Sequence, residues 1–401
     1  MPGLRILQIF SRYLQPGGEE RFAELFASTL NPRHSVQNYY GSTEELLALG
    51  KRHPSLVFRA WHNQKVAEDL RRLQTSGRFD LWVVQNSLPG LSPSVYATAF
   101  SLGVPVVHFL HNFRLGCTNG FFLNHGQPCE RCATGNFWPA FQTACWRNNR
   151  WVSGFMGLIL RRTRHLGLFQ NIAAWVALNH QQKQKHVEMG IPGERIHVVP
   201  HFFHSTQTPP PPNPEGDVIF LGRLSPEKGL HFLLEAWAGV RAGKRKLLVA
   251  GRGPEEEALR RQAAQLELKN IEFLGYLARE RHPEIWSRSS FAVIPSLWNE
   301  PFPLSFLEAW SFQRACVASR LGAMAEHIVP GENGLLVDPF SPESLRHSLQ
   351  ALLDDPGKAA SMGKAGHQKL ASHFNRDLWI HQMEEVFRAA QSRQGLYKIS
   401  R

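Results

Sequence analysis

A chain of 401 residues has room for two or three domains, each with its own core. Apolar content of 43% and charged content of 19% fit a globular protein and exclude a disordered one, while a net charge of +12 points to anionic partners. No apolar run approaches the roughly 20 residues that a membrane-spanning helix needs; "WVSGFMGLIL", residues 151–160, is about half that.

The N-terminus "MPGLRILQIF" runs straight into a glycine loop, so it reads as a first strand and not a signal peptide. With five cysteines and no export signal, the expected compartment is reducing. Further strands of the first half are predicted at "DLWVVQN", "VPVVHFLH", "AAWVALN" and "IHVVP". Those of the second half are "DVIFLG", "KLLVAG", "IEFLG", "FAVIPS", "CVAS" and "GLLVD". Continuous apolar runs of this kind suit parallel strands buried on both faces, joined by crossover helices. The rhythm breaks at "HFFHSTQTPPPPNPEG", where Pro209 to Pro212 make a stiff connector. The prediction is an α/β protein of two doubly wound, Rossmann-like parallel-sheet domains facing across a cleft. Residues 1–205 form the first domain, 206–216 the linker, 217–375 the second domain, and 376–401 a terminal helix packing back on the first.

Three loops at strand ends carry candidate chemistry. In "PGGEE", Gly17 and Gly18 permit a tight turn at a helix start. His111 ends the strand of "VVHFLHN", where a structural role is the commoner one. In "LGRLSPEKG", Arg223 and Lys228 place two cations at a strand–helix junction, which suits a diphosphate or two solvated side chains. Further on, "EPFPLSFLE" sets Glu300 before a helix, Pro301 and Pro303 in its first turn, and Glu308 within its first two turns. The amides of Phe302, Leu304 and Ser305 would then point out of the helix N-terminus toward an anionic or polyhydroxyl ligand.

Charge and cysteine are unevenly spread. The first 200 residues hold 21 Lys and Arg against 11 Asp and Glu, and no acid lies between Glu130 and Glu188. That window contains Arg147, Arg150, Arg161, Arg162 and Arg164 beside Trp138, Trp146 and Trp151. A basic, tryptophan-bearing stretch suits an anionic surface such as a bilayer, a phospholipid-linked substrate or a nucleic acid. Cys117, Cys129, Cys132 and Cys145 cluster in a segment predicted to belong to the first domain. A central C-x-x-C with two outer cysteines fits a structural zinc site; unligated thiols and a disulfide are the alternatives.

Taken together, "FLGRLSPEKGL", "LLVAGRGPEE", "IEFLGY", "VIPSLWNEPFPLSFLEA" and "GENGLLVDP" resemble, in order and spacing, the retaining glycosyltransferases of family 4, which have the GT-B fold. "GGEE" and "HNFR" match that family's N-terminal landmarks, and a subset of it bears a similar cysteine insertion. The resemblance implies transfer of a sugar from a nucleotide-sugar (a UDP-, GDP- or ADP-sugar) to a glycan or lipid-linked acceptor, with retention. It implies that Glu308 binds the ribose hydroxyls and Glu300 the donor sugar. Phe302, Leu304 and Ser305 would lend amides, and Arg223 and Lys228 would neutralise the departing diphosphate. His111 would touch the donor sugar, and the Gly17–Gly18 loop would close over the diphosphate. No cofactor or catalytic metal is implied. One departure is Pro303, where the family usually has glycine and where no amide is available. The expected location is cytoplasmic, peripheral on the inner face of the plasma membrane, with no nucleic acid as partner. Two other readings keep some of these features: a GT-B phosphorylase or nucleotide-sugar epimerase, and a zinc-dependent nucleic-acid-binding protein, which leaves the Glu300, Glu308, Arg223 and Lys228 set without a use.

Overall fold

The computed structural model describes residues 3–12, 18–42, 55–88, 90–203, 209–211 and 213–393. Gly17, and residues 206–208 and Pro212 of the predicted linker, lie outside the described residues. The chain divides into two compact units: residues 1–124, 129–200 and 377–401 form the first, and 125–128 with 201–376 the second. Residues 125–128 of the cysteine segment, expected in the N-terminal domain, therefore group with the second unit.

Each unit is built on one six-stranded sheet in which every pairing is parallel. The first holds β1 (Arg5–Arg12), β2 (Ser35–Ser42), β3 (Leu81–Asn86), β4 (Val106–Phe109), β5 (Ala174–Ala177) and β6 (Ile196–Val198), in the order β2-β1-β3-β4-β5-β6. The second holds β7 (Asp217–Leu221), β8 (Leu247–Ala250), β9 (Ile271–Gly275), β10 (Ser289–Ile294), β11 (Ala315–Ser319) and β12 (Gly334–Val337), in the order β9-β8-β7-β10-β11-β12. The apolar runs are central because they are covered on both faces: Ile6, Leu7, Ile9 and Phe10 of β1 are all fully buried.

One strand of these two sheets escapes the sequence pattern. β2 reads "SVQNYYGS", with no continuous apolar run, and sits at the sheet edge beside β1 in register from Arg5 against Ser35. An edge strand needs no second buried face, so nothing selects for unbroken hydrophobicity there.

Strand order reverses between β1 and β3 in the first sheet and between β7 and β10 in the second. Loops leaving the carboxyl ends of strands at such a point splay apart and open a crevice for ligands. The loops after β7 and β10 are the ones that carry Arg223, Lys228 and Glu300. The terminal helix Arg376–Gln391 packs within the first unit: Trp379 sets its ring edge-on to Phe22 and to Phe26, both at 5.8 Å, and Glu384 pairs with Arg33 at 3.2 Å.

Among the buried histidines of the first unit, His108, His111 and His186 have ionisation that opposes folding. Burial lowers His108 to about 3 and His186 to about 4, and lowers His111 as well. An unfolded histidine titrates near 6.5, so below that pH the unfolded chain binds protons that the folded chain refuses. Stability is therefore intact above about pH 6.5 and falls as pH drops, by up to about 1.4 kcal/mol per pH unit for each ring. Urea midpoints measured at pH 7.5 and pH 5 are expected to differ accordingly. Equal midpoints would mean that the rings accept protons inside the fold.

Candidate active site

The second unit assembles its acids and cations in pairs. Lys228 sits on a short 3-10 turn, Pro226–Lys228, that follows β7, and its Nζ donates to Glu300 Oε1 at 2.6 Å. Ser296 Oγ donates to the same oxygen. Arg223 donates from Nη2 to Glu227 Oε1 at 2.6 Å and from Nε to Ser225 Oγ at 3.2 Å, while Ser225 Oγ donates to Glu227 Oε1 at 2.6 Å. Burial pushes the Glu227 carboxyl up, but Arg223 and the Ser225 hydroxyl outweigh it and hold the group below its ordinary range. Arg223 remains half-exposed, so its guanidinium is anchored on one side and open on the other.

Glu308 lies in the helix Leu304–Ser311, and its Oε1 takes hydrogen bonds from His282 Nδ1 and from Trp286 Nε1, the latter at 3.1 Å. Glu300 and Glu308 are each only 3% exposed. Both tie down Oε1 and, among the described residues, leave Oε2 with no hydrogen-bond partner. A carboxylate fixed through one oxygen presents the other as an oriented acceptor, the arrangement that reads sugar hydroxyls.

The proline-rich entry differs from the sequence expectation. The helix begins at Leu304, and Pro303 is its cap in extended backbone, so neither proline lies in the first turn. Leu304 and Ser305 are the first two helical residues, where amides lack intrahelical acceptors. Phe302 is a packing residue, its ring within 6.2 Å of those of His201, Phe306, His327 and Phe374. The Glu300 backbone is fixed from behind, since Ala323 N donates to its carbonyl at 3.1 Å. Gly322, at φ +55°, comes so close that a Cβ there would stand 2.2 Å from that carbonyl oxygen. Only glycine satisfies both constraints.

In the first unit, Gly18 opens the helix Gly18–Leu30, and His111 lies two residues beyond β4. His111 Nε2 donates to Gln85 Oε1 at 2.8 Å, Gln85 Nε2 to Gln8 Oε1 at 3.1 Å, and Gln8 Nε2 to the Ala23 carbonyl at 2.8 Å. A backbone carbonyl can only accept. That sets the orientation of Gln8, then of Gln85, and so places the His111 proton on Nε2. With its pKa lowered by burial, against a smaller upward pull from Glu19, the ring is neutral and Nδ1 is its acceptor. Beside it lies a cavity of about 40 Å³ bordered by Asn86, Tyr96, His108 and Asn112. Asn112 in turn donates to Glu19 at 3.0 Å, at the start of the Gly18–Leu30 helix.

The residues that hold the candidate side chains in each unit are mostly ones the sequence did not single out: Gln8 and Gln85 in the first, and Ser225, Glu227, Ser296, His282 and Trp286 in the second. For two of them a signal was present. Gln8 in "RILQIF" and Gln85 in "LWVVQN" are polar residues inside runs that must be buried on both faces, which demands a partner for each.

The four clustered cysteines are free and border one cavity. Burial, and next the neighbouring Cys117, push the Cys132 thiol up to about 12. The basic stretch forms an outward face. Trp151 and Leu158, seven residues apart on the helix Arg150–His165, are 73% and 55% exposed. Trp138 stacks on Phe141 at 5.0 Å, Phe141 meets Trp151 edge-on at 5.3 Å, and Arg147, Arg150 and Arg161 are exposed around them. Among the described residues, no helix is long and apolar enough to cross a membrane.

Comparison with known proteins accounts for both units. The glycosyl transferase 4-like domain matches residues 32–201, and the glycosyl transferases group 1 family matches residues 205–369. Among curated proteins, the D-rhamnosyltransferase WbpZ of Pseudomonas aeruginosa is 32% identical over 158 residues, 39% of this chain and 41% of that protein. The glycogen synthase of Mycobacterium tuberculosis is 30% identical over 177 residues, 43% of this chain and 42% of that protein. The chain thus spans about two fifths of the length of these relatives. A D-inositol 3-phosphate glycosyltransferase of Arthrobacter is 25% identical over 74% of this chain and 68% of its own length. Of solved structures, Anabaena Alr3699/HepE in complex with UDP and glucose has TM-score 0.70 at 18% identity, covering 96% of this chain and all of that one. Sucrose-phosphate synthase from Thermosynechococcus elongatus has TM-score 0.71 at 17% identity, covering 96% and 98%. Two parallel-sheet units, each matched over most of its length by a glycosyltransferase domain, give the chain the GT-B fold.

Proposed function

We propose that this protein is a retaining glycosyltransferase that moves a sugar from a nucleotide-sugar to a glycan or lipid-linked acceptor, in the assembly of a cell-surface polysaccharide or glycolipid. The observation that carries the reading is the pair of buried glutamates at the switch point of the second sheet, each fixed through Oε1 and open at Oε2. Glu308 takes the ribose hydroxyls and Glu300 the donor sugar. The HepE structures contain UDP, glucose and UDP-glucose, which makes a UDP-sugar the first donor to try.

In the reaction, the bond from the anomeric carbon to the β-phosphate oxygen breaks while the acceptor oxygen bonds to the same face of that carbon. The acceptor's proton passes to the leaving phosphate oxygen. Charge grows on the diphosphate, and Arg223 and Lys228 stand on the loop placed to meet it, with the leading amides of Leu304 and Ser305 adding partial positive charge. In the first unit, His111 is assigned to touch the donor sugar. No side-chain nucleophile is required by this route, and no metal or cofactor is assigned to it.

The tryptophan-bearing basic face supports an anionic lipid surface as the working environment, with the enzyme peripheral on the cytoplasmic side. It favours a lipid-linked or membrane-proximal acceptor over a soluble one.

Calorimetry and thermal shift against UDP, GDP, ADP and their sugars test the donor assignment. Stabilisation by one nucleotide, lost in Arg223→Ala, is the expected result. In the same preparation, binding to phosphatidylglycerol vesicles should weaken with salt and fall in Trp151→Ser/Leu158→Ser. Silence across the whole nucleotide panel, with folded protein, would overturn the donor assignment.

A further inference from the structure

We propose that Cys117, Cys129, Cys132 and Cys145 bind one zinc ion as a structural tetrathiolate site that staples the segment between β4 and the helix Arg150–His165. Four of the chain's five cysteines fall in residues 117–145. The fold brings all four to the wall of one cavity of about 10 Å³, close to the volume of a single water-sized probe. None is paired in a disulfide.

The segment has a need for such a staple. From Leu110 to Phe137 the regular structure amounts to two strands of two residues each. Phe122, His125, Ala144, Arg147 and Asn148 all take positive φ although none is glycine. A stretch this long and irregular inside a compact unit is held by something other than backbone ladders. Part of the hold is visible. Arg164 Nη2 donates to the Leu115 carbonyl at 3.1 Å and to the Ala133 carbonyl at 2.9 Å, clasping two turns of the segment together. Cys132 packs with Phe137, Ala140, Met156 and Ile159, which joins the C-x-x-C to the basic helix.

A cation and a hydroxyl stand beside two of the sulfurs. A zinc with four thiolates carries a net charge of −2, and it needs nearby donors and cations. Arg131 Nε donates to Cys129 Sγ at 3.4 Å, and Thr118 Oγ1 lies 3.1 Å from Cys145 Sγ. Glu130 is the one acid in residues 112–149, against Arg114, Arg131 and Arg147. Among the described residues, no three His, Cys, Asp or Glu side chains stand arranged to hold an ion as they are. Binding therefore requires the four sulfurs to close in on the cavity they already border. Cys117 Sγ gives up its hydrogen bond to Asn119 Oδ1, now 3.0 Å, in the process. Four S–Zn bonds form and the four thiol protons leave to solvent.

Protein carrying no polyhistidine tag, purified from zinc-supplemented medium, should hold about one zinc per chain by elemental mass spectrometry. Exchange for Co²⁺ should give the thiolate-to-cobalt charge-transfer and d–d bands of a tetrahedral sulfur site. Cys129→Ser, at one of the two half-buried cysteines, should shift or weaken those bands and speed metal loss to a chelator. If that variant fails to fold, the cobalt spectrum of the unaltered chain still decides the matter. Folded protein that takes up neither metal on reconstitution overturns the proposal, whether its four thiols react freely or mass spectrometry finds them joined as disulfides.

Discussion

Lys228→Met should lower kcat by about 10²–10³-fold, the usual loss when one preorganised charge that meets a developing oxyanion is removed. It should also lower stability. Lys228 Nζ is 2.6 Å from the Glu300 carboxylate, which is 3% exposed and otherwise held by the Ser296 hydroxyl. Removing the cation strands a buried charge, a change that costs about 3–5 kcal/mol in a fully buried pair and less here, since the lysine is 23% exposed. Lys228→Met/Glu300→Gln separates the two effects. With the buried charge gone the melting temperature should recover, while turnover stays low because both groups that meet the donor are altered. Turnover in the single variant within a few-fold of the parent would remove Lys228 from the catalytic set.

Glu308→Gln tests the donor site in the opposite way, by sparing the scaffold. The amide keeps an acceptor oxygen for His282 Nδ1 and Trp286 Nε1, so the fold around it should hold. The open position changes from an acceptor to an amide donor and loses its charge. Nucleotide affinity should fall by about 10–100-fold, or roughly 1.4–2.7 kcal/mol. Titration calorimetry with the nucleotide chosen by the panel reads this directly, and a melting curve shows whether the fold was spared. An unchanged affinity would mean that Oε2 faces no ligand hydroxyl. Loss of folding would instead mark Glu308 as the acceptor that holds His282 and Trp286.

Local features were legible because their causes are local. Eleven of the twelve strands in the two six-stranded sheets read as short apolar runs, and the eight central ones must be apolar on both faces. β2 does not, because an edge strand is exempt from that demand. The candidate loops were legible for a similar reason: a loop that follows a strand in sequence follows it in space, so Arg223, Lys228 and Glu300 could be placed at strand ends before any coordinates. The start of the helix at Leu304 was misplaced by a turn, because two prolines fit the first helical positions and the extended entry about equally well.

The sequence by itself determined the α/β class, the two large parallel sheets, the family resemblance and the loops on which chemistry sits. Only the tertiary structure decided which side chains hold those loops in place. Lys228 and Glu300 are 72 residues apart, Gln8 and Gln85 are 77 apart, and Arg314, fully buried, reaches 103 residues back to the Pro211 carbonyl. None of these partnerships has a periodicity or a spacing that could announce it. Each exists because parallel sheets bring strands that are distant in the chain to neighbouring positions, where burial leaves every polar group in need of a partner.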